Sequence, residues 1–555
     1  MIMKRQFING LLMLAAGAFV AACADYNVTD NFTAEPDPTF TEPYKDLNPV
    51  KSYIDRSKNP NMSLGVTLKV AEYNKQALAH AAAMTNFDNL AFGTSLMPGA
   101  IVNAKGVMNF LDMKDLLDHV EEIGGDVFGS PIAANANQAD DWLKYLTSPI
   151  EIPVDFVEGK IVDYNTVTTF EGTVESGEAS ITKYDGQNTL MIGSVKKPNA
   201  KVRIIEGFNV SPAERYTITF WAKADKDASF NVNFSGTKVE GPSTGGTWAV
   251  KAGKWQKVVV EAQSAEGVTE GYFRIDNTRT TPVYIQKVQV GYYPDDHRPQ
   301  TDEEKKDTLI YAMNTWCDGL MKINAGRIKS FDLIDDAIDS KSELENGMLD
   351  LKHSTEKIFW QDIFGSENYA PVVSKAAIAA YQKYEGDPAE LKFFISESGL
   401  DNQKKFESLK YWIGVWDANG AKIDGINAKL SLTYSEDEAK QAEYKASFDK
   451  LLENLVSTGK LIRLSNFDIT YRDASGANVT AKDITDEQRQ KLADYYAYII
   501  KSYMEKIPSD KQAGLCKGNM VDTSDPVGLW SIDSKSKDWV RNATYKAFCD
   551  ALSGK

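Results

Sequence analysis

Three polar side chains lie in the second half of one short, mostly apolar stretch of this chain, residues 461–469. The stretch is apolar enough for a buried strand and too short for a helix, and it carries Ser465, Asn466 and Asp468. A hydroxyl, a carboxamide and a carboxylate can hydrogen-bond a polar ligand, and a carboxyl group can also transfer protons. These three residues are therefore the first candidates for a functional site.

A pair of carboxyl groups follows a second strand-like run, residues 329–334. Asp335 and Asp336 could bind a ligand, could be solvated carboxylates at the end of a strand, or could form ion pairs with Lys429. The sequence leaves these three roles open, because it does not show which side chains meet in space.

Helical segments surround both stretches and must position these residues. Three capping boxes, in which a Ser or Thr is followed three residues later by Glu or Gln, predict helix starts after Thr301, Ser435 and Thr485. Strands that alternate with helices pair in parallel, and polar residues at their carboxyl ends gather on one face. We therefore expect the candidate residues of different strands to share a face.

The length and composition limit the class of protein. At 555 residues the chain should form two or three domains, and 43% apolar and 25% charged residues are typical of a globular protein. A net charge of −16 argues against nucleic acid as a partner. The four cysteines form no Cys-x-x-Cys pair, which argues against a structural zinc site. No metal site and no cofactor are predicted. Cys317, Cys516 and Cys549 should pack in the core or form at most one disulfide.

The N-terminus has the pattern of an export signal. Lys4 and Arg5 precede an apolar run, residues 11–20, which is followed by small residues and Cys23. This predicts a signal peptide over residues 1–22. Its apolar run is too short to span a bilayer as a helix. The pattern resembles a lipobox, which implies lipidation of Cys23; an ordinary signal peptide with a chance cysteine is the alternative. Residues 23–55 read as a flexible tether, similar to that of Bacteroidetes surface lipoproteins.

Residues 151–298 lack helical periodicity. Short alternating runs bounded by Gly, Pro and Asp predict an inserted β-sandwich in this region. Trp221 should lie in its core, whereas Trp248 and Trp255, in and beside a Gly-rich segment, are better candidates for ligand binding. The segments Phe170–Glu171, Tyr216–Trp221 and Tyr284–Val288 resemble carbohydrate-binding modules of families 4, 9 and 22, although Gln286 replaces their aspartate and makes a structural calcium doubtful.

Segments on both sides of the insert resemble glycoside hydrolase family 10, the retaining xylanases, in the correct order. The matching segments are 87–97, 106–110, 126–135, 329–339, 391–397, 423–432 and 465–468. The resemblance implies a (β/α)8 barrel of the α/β class, formed by residues 56–150 and 299–555 and interrupted after its third strand by the insert. It puts strands four to eight at 329–339, 391–397, 423–432, 461–469 and 527–532.

The resemblance also assigns roles by position. The nucleophilic glutamate of the family falls on Asn466 and its acid/base glutamate on Asp336. Trp530 and Trp539 match two tryptophans of the family and could stack on a sugar or fill the rim of the barrel. Other positions that hold the sugar in the family fall on Gly93, Thr94, Met97, Ser130, Asn135, Lys429 and Ser431.

Retaining hydrolysis requires two carboxyl groups, and the neutral amide of Asn466 cannot form a glycosyl ester. No residue is therefore a confident catalytic candidate, and Asp335, Asp336, Asn466 and Asp468 are expected to bind substrate. We expect a non-catalytic glycan-binding lipoprotein, lipid-anchored and exposed at the cell outer membrane. Its expected partners are a plant polysaccharide such as xylan, the membrane, and other components of a polysaccharide-uptake system.

Two alternatives remain open at this point. The first is an active endo-1,4-β-xylanase with relocated carboxylates, in which Asp336 acts with Glu397 or Asp468. The second is a structural or partner-binding lipoprotein whose sugar sites are all lost. The replaced positions Asn466 and Asp336 decide the first alternative, and exposure of the loop tryptophans decides the second.

Overall fold

The computed structural model describes residues 44–555, except 75–77, 123, 279 and 280. The predicted signal peptide, Cys23 and the first part of the tether lie outside the described residues. Within them, no helix is long and apolar enough to cross a membrane. The described chain divides into two compact units, one formed by residues up to 148 together with 301–555, the other by 149–300.

The first unit is a closed barrel of eight parallel strands. Its first strand pairs with the eighth, Leu64 opposite Leu515, and its third pairs with the fourth, Phe128 opposite Ser330. The (β/α)8 prediction is therefore confirmed. The strands are Leu64–Thr67, Asn89–Ala91, Asp126–Gly129, Ser330–Asp335, Lys392–Ser398, Gly425–Lys429, Leu461–Ser465 and Gln512–Lys517.

Helices surround the barrel and fill the connections between its strands. The helices are Val70–Asn74, Leu78–Asn86, Pro98–Ile101, Leu111–Glu122, Asp140–Leu146, Asp302–Asn324, Trp360–Phe364, Tyr369–Lys383, Gln403–Ala418, Glu438–Val456, Asp486–Lys506 and Ala543–Leu552, with short 3-10 turns at Val50–Tyr53 and Gly93–Leu96.

Two of the three predicted helix starts are confirmed. Thr301 and Thr485 both form complete capping boxes. The prediction at Ser435 is wrong, because Asp437 caps the helix by accepting hydrogen bonds from the backbone N–H groups of Ala439 and Lys440. A carboxylate next to the helix is a strong cap, and Ser435 instead ends a short strand, Leu432–Ser435, that pairs in parallel with Ile469–Arg472.

The predicted eighth strand at 527–532 is also wrong. The eighth barrel strand is Gln512–Lys517, and Trp530–Ile532 instead forms an antiparallel pair with Trp539–Arg541. The true strand begins with a polar residue and ends with a lysine, so its sequence does not show the continuous apolar run of a buried parallel strand. Cys516 in this strand, like Cys317 and Cys549, is a buried free thiol, as the sequence predicts.

The second unit contains two antiparallel sheets that share one apolar core. Each sheet has five strands along its main path and one additional strand. The first sheet comprises Val174–Ser176, Ala200–Asn209, Ala228–Phe234, Thr237–Val239, Trp248–Val250 and Glu270–Asn277; the second comprises Val157–Asp163, Ala179–Tyr184, Gln187–Ile192, Tyr216–Lys223, Gln256–Ala262 and Val283–Tyr292.

The strand Tyr216–Lys223 corrects the prediction for Trp221. Ile218, Phe220 and Ala222 are buried, so the alternation of the strand turns Trp221 to the opposite face. Its side chain is 42% exposed. Trp221 is therefore a surface residue of the sheet and not part of the core.

Candidate functional site

A cluster of three charged side chains joins the carboxyl ends of barrel strands four and six. The Nζ of Lys429 lies 2.6 Å from an Oδ of Asp335 and 2.5 Å from an Oδ of Asp336. The three side chains are only 18–32% exposed, so solvent screens these ion pairs weakly. Of the three roles that the sequence left open for the two aspartates, the structure shows the ion pair with Lys429.

Asp336, to which the family resemblance assigned the acid/base position, is held in its charged form. Its other carboxylate oxygen accepts hydrogen bonds from the backbone N–H of Ser398, at 3.0 Å, and from the Ser398 hydroxyl, at 2.8 Å. Burial opposes ionisation, but Lys429 and Ser398 outweigh it and hold the pKa of Asp336 well below its usual range. A general acid needs a raised pKa, so Asp336 is unsuited to that role. Its backbone is left-handed, with φ at 45°.

Glu397, on the neighbouring fifth strand, is enclosed. Its side chain has no exposed surface, lies 2.7 Å from the Nζ of Lys405, and accepts a hydrogen bond from the backbone N–H of Ile338 at 3.3 Å. Burial raises the pKa of Glu397 to about 7, against the opposing charge of Lys405. A carboxyl group without access to the surface cannot protonate a ligand, so the pairing of Asp336 with Glu397 gains no support.

Asn466, to which the family resemblance assigned the nucleophile position, follows the seventh strand in a left-handed conformation with φ at 53°. The residue is exposed, and among the described residues its amide has no hydrogen-bond partner. An exposed amide that donates and accepts is suited to binding a hydroxylated ligand. It cannot act as a nucleophile in glycoside hydrolysis.

Asp468 is neutralised by a buried lysine at the end of the eighth strand. It forms an ion pair with Lys517 and accepts a hydrogen bond from the side-chain amide of Asn519 at 2.7 Å. Lys517 has no exposed surface and also donates to the carbonyls of Phe467, at 2.9 Å, and Val527, at 2.7 Å. Burial lowers the pKa of Lys517, while Asp468 opposes that shift. Lys517 thus fixes the loops that follow strands seven and eight.

A cavity of about 390 Å³ lies at the carboxyl ends of strands one, six, seven and eight. Asn466 and Asp468 line it, whereas Asp335 and Asp336 do not. The sequence analysis missed Thr67, Thr470 and Asn519, and it could not have found Asn519 once the eighth strand was misplaced. The lining is mostly neutral and contains no aromatic ring: Thr67, Leu430, Ser431, Leu432, Asn466, Asp468, Thr470, Gly518 and Asn519.

The tryptophans named from the sequence have different roles. Trp530 is 6% exposed and packs edge-to-face on Tyr545, with ring centroids 5.2 Å apart, and Trp539 packs against the same core. These two fill the rim of the barrel. In the second unit, Trp248 packs against the core and its ring N–H points to the carbonyl of Val239 at 3.4 Å. Trp255 lies 6.3 Å from Tyr184, ring to ring, and is partly buried.

The remaining positions named from the resemblance do not form one set of polar side chains that could hydrogen-bond a sugar together. Gly93 and Thr94 are exposed, Met97 is buried, and the hydroxyl of Ser130 donates to the carbonyl of Gly93 at 2.7 Å. The amide of Asn135 has buried atoms without a partner among the described residues. Among these residues, Ser130 is internally bonded and Met97 is apolar, whereas Asn135 keeps a buried amide and Ser431 lines the cavity.

Both the sequence and the fold of this chain are similar to those of known proteins. The sequence profile described as "Glycosyl hydrolase family 10" matches residues 295–527, and no curated protein matches the chain. Similar solved structures include xylanase B from Clostridium stercorarium F9, at 10% identity and a TM-score of 0.51, covering 91% of this chain and 100% of that one. Another is an endoxylanase of the same family from a sugarcane soil metagenome, at 9% identity and a TM-score of 0.50, covering 90% and 99%.

Identities this low establish a shared fold and leave the activity to the residues of the site. The profile covers barrel strands four to eight, and the structural match to xylanase B covers 91% of this chain. Residues 295–527 therefore match the family 10 profile, and the barrel has the fold that these xylanases share.

Proposed function

We propose that this protein is a non-catalytic lipoprotein that binds xylan-type polysaccharide on a glycosyl hydrolase family 10 scaffold. The observation that carries the proposal is the state of the two positions where this chemistry needs carboxyl groups. Asn466 is an amide, and Asp336 is an ionised carboxylate bound to Lys429. Retaining hydrolysis needs an ionised nucleophile and a protonated acid, and this arrangement supplies neither.

The cavity beside Asn466 supports a binding role. Its volume of about 390 Å³ is within the range of small-molecule sites. Its single carboxylate, Asp468, is neutralised by Lys517, so the lining offers hydroxyl and amide groups without net charge. Such a lining suits an uncharged, hydroxylated ligand such as one unit of a polysaccharide.

Anchoring and partners belong to the same proposal. The basic residues, the apolar run and Cys23 at the N-terminus support a lipidated protein at the outer membrane, where it would hold polysaccharide at the cell surface. Other components of a polysaccharide-uptake system are the partners that such a location favours.

Purified protein tested against a panel of plant polysaccharides distinguishes the candidates. Retention in affinity gels and release of reducing ends are measured on the same samples, and retention without release is expected. Asn466→Gly removes the amide but suits the left-handed backbone, so it should weaken retention without unfolding the protein. Release of xylo-oligosaccharides that is lost on Asp336→Ala would instead identify an active hydrolase. Neither retention nor release would favour a structural or partner-binding protein.

A further inference from the structure

One sheet of the second unit ends in a regular strand that has a partner on one side only. The strand Gln256–Ala262 pairs with Tyr216–Lys223 along all seven of its residues, without a bulge. It is the last strand of its sheet, and among the described residues no strand pairs with its outer edge. Such an edge presents unpaired backbone N–H and C=O groups, which are a template for pairing with another strand.

The other edge strands of the unit are less suited to pairing. Those of the other sheet have three residues each, and the strand Val157–Asp163 pairs with an irregularity in its register. The strand Ala179–Tyr184 is regular, but its one charged residue is Lys183, and it has no carboxylate that a second strand could match. Gln256–Ala262 combines length, regular pairing and charges of both signs.

The outward side chains of this strand form a symmetric pattern. Val258 and Val260 are buried, whereas Lys257, Val259 and Glu261 are exposed. The lysine lies two residues before Val259 and the glutamate two residues after it, so all three share the outer face. The order of cation, valine and anion becomes anion, valine and cation on a strand that runs in the opposite direction.

An antiparallel copy of the strand fits this pattern about a two-fold axis at Val259. With Val259 opposite itself, Lys257 of each copy lies opposite Glu261 of the other. Directly opposed residues have Cβ atoms about 4.5–5.5 Å apart and share a face, and opposite charges in such positions stabilise the pairing. The buried Val258 of each copy lies opposite Val260 of the other, so the inner faces also match. Both copies use the same surface, which makes the contact isologous and limits it to two copies.

Pairing also covers apolar surface that the unit leaves exposed. Val259 is 44% exposed and Trp221 is 42% exposed. Because Trp221 is in register with Lys257, it is a diagonal neighbour of Val259 on the same face. In a pair of copies the two Val259 side chains contact each other, with one indole on either side of them, and this burial is favourable.

We infer that the strand Gln256–Ala262 pairs with the same strand of a second copy, so that two sheets become one continuous antiparallel sheet. The occupant is a second copy because the charges of the strand complement themselves. Lys257 forms no ion pair among the described residues. The hydroxyl of Thr217 donates to one oxygen of Glu261 at 2.8 Å, which holds the carboxylate on the outer face.

The size of the contact sets the strength of the association. One pair of edge strands, about 20 Å long at a rise of about 3.4 Å per residue, buries less surface than a permanent dimer needs. The two copies therefore associate weakly and in proportion to their concentration. This association is independent of polysaccharide binding and of the cavity at Asn466.

Sedimentation velocity of the full-length protein, measured over a range of concentrations, tests the pairing. Every sample carries Cys23→Ala, so that no lipid brings two copies into one micelle. Lys257→Glu places carboxylates opposite each Glu261 and should raise the dissociation constant of the dimer roughly tenfold. Val259→Lys brings two ammonium groups together at the axis and should raise it at least as much. Lys183→Glu, on the strand at the other end of the same sheet, is the matched control and should leave it unchanged.

An exchange of charges separates the pairing from an effect on folding. Glu261→Lys alone should weaken the association as Lys257→Glu does, and the two changes together should restore it. An equimolar mixture of the two single variants should also associate, because two carboxylates of one copy then face two ammonium groups of the other. Val259→Cys should form a disulfide-linked dimer with a mild oxidant, whereas Val195→Cys, at a position that is 80% exposed, should not.

Three results would overturn the inference. The first is a protein that stays monomeric at every concentration up to its solubility limit. The second is a dimer whose dissociation constant does not respond to Lys257→Glu or Val259→Lys, because its contact then lies elsewhere on the molecule. The third is an association that Lys257→Glu weakens and that the added Glu261→Lys does not restore, because the two charges then do not face each other across the two-fold axis.

Discussion

Removing Lys429 tests whether its two ion pairs hold the site in an inactive, charged form. Lys429→Met keeps the length of the side chain and removes its charge, leaving Asp335 and Asp336 adjacent and without a cation. Loss of one partner of a fully buried pair costs about 3–5 kcal/mol. Because these side chains are 18–32% exposed, solvent compensates part of that, and we expect the free energy of unfolding to fall by about 1–3 kcal/mol at pH 7.

The expected loss of unfolding free energy in Lys429→Met depends on pH. The folded pKa of Asp336 lies below its unfolded value near 4, so the pair contributes stability that is present above that value and is lost as the pH falls below it. In Lys429→Met the pKa of Asp336 should rise, because the cation that lowers it is gone, and protonation of Asp336 then relieves its repulsion with Asp335. The difference between variant and unmodified protein should therefore be largest near pH 7 and should shrink toward pH 4.

Urea unfolding of the barrel, measured between pH 4 and pH 8, checks both the size of the loss in unfolding free energy and the direction in which it changes with pH. Lys404→Met is the matched control, because Lys404 forms an exposed ion pair with Glu343, with side chains 45% and 52% exposed. Its loss should cost less than about 1 kcal/mol at every pH. A Lys429→Met deficit equal to that of the control, or one that does not change with pH, would refute the reasoning.

Three further predictions follow. Asn466→Glu, alone or with Asp336→Glu, should release no xylo-oligosaccharides above background, because groups that act as a unit recover little when one is restored; clear turnover would show that the other replaced positions are dispensable. Lys517→Met should lower the free energy of unfolding by about 2–4 kcal/mol by leaving Asp468 without its cation, and adding Asp468→Asn should recover part of this in the same urea titration. Cys23→Ala should move the protein from the membrane fraction to the soluble fraction on cell lysis, and a variant that still pellets with membranes would rule out the lipid anchor.

The sequence predicted those parts of the fold that depend on local patterns. The seventh barrel strand is recognisable because residues 461–469 form an apolar run between helices, and Thr301 and Thr485 begin helices because their capping partners are three residues away. The eighth strand escaped prediction because the partners that stabilise the buried Lys517 are distant in sequence: the carboxylate of Asp468 and the carbonyls of Phe467 and Val527. A pattern of neighbouring residues in the sequence does not reveal such distant partners.

In the candidate site, too, some features could be predicted from the local sequence and others depend on contacts between distant residues. The replacement at Asn466 is visible in the sequence, whereas the ion pair of Lys429 with Asp336 joins residues 93 positions apart and exists only once the barrel closes. The orientation of Trp221 is a different case. The alternation of its strand indicates the outward face, since Ile218 and Phe220 fix the inward face and Trp221 falls between the inward positions.

The left-handed backbone at Asp336 and Asn466 has an evolutionary consequence. Aspartate and asparagine are the side chains that adopt this conformation most readily after glycine, whereas a longer side chain held there is strained by about 1–3 kcal/mol. At both positions this chain has a residue that the local backbone favours. Under the proposed function, a change of either residue to glutamate would lower the stability of the protein before it could contribute to turnover. Selection for stability would therefore keep both residues in place.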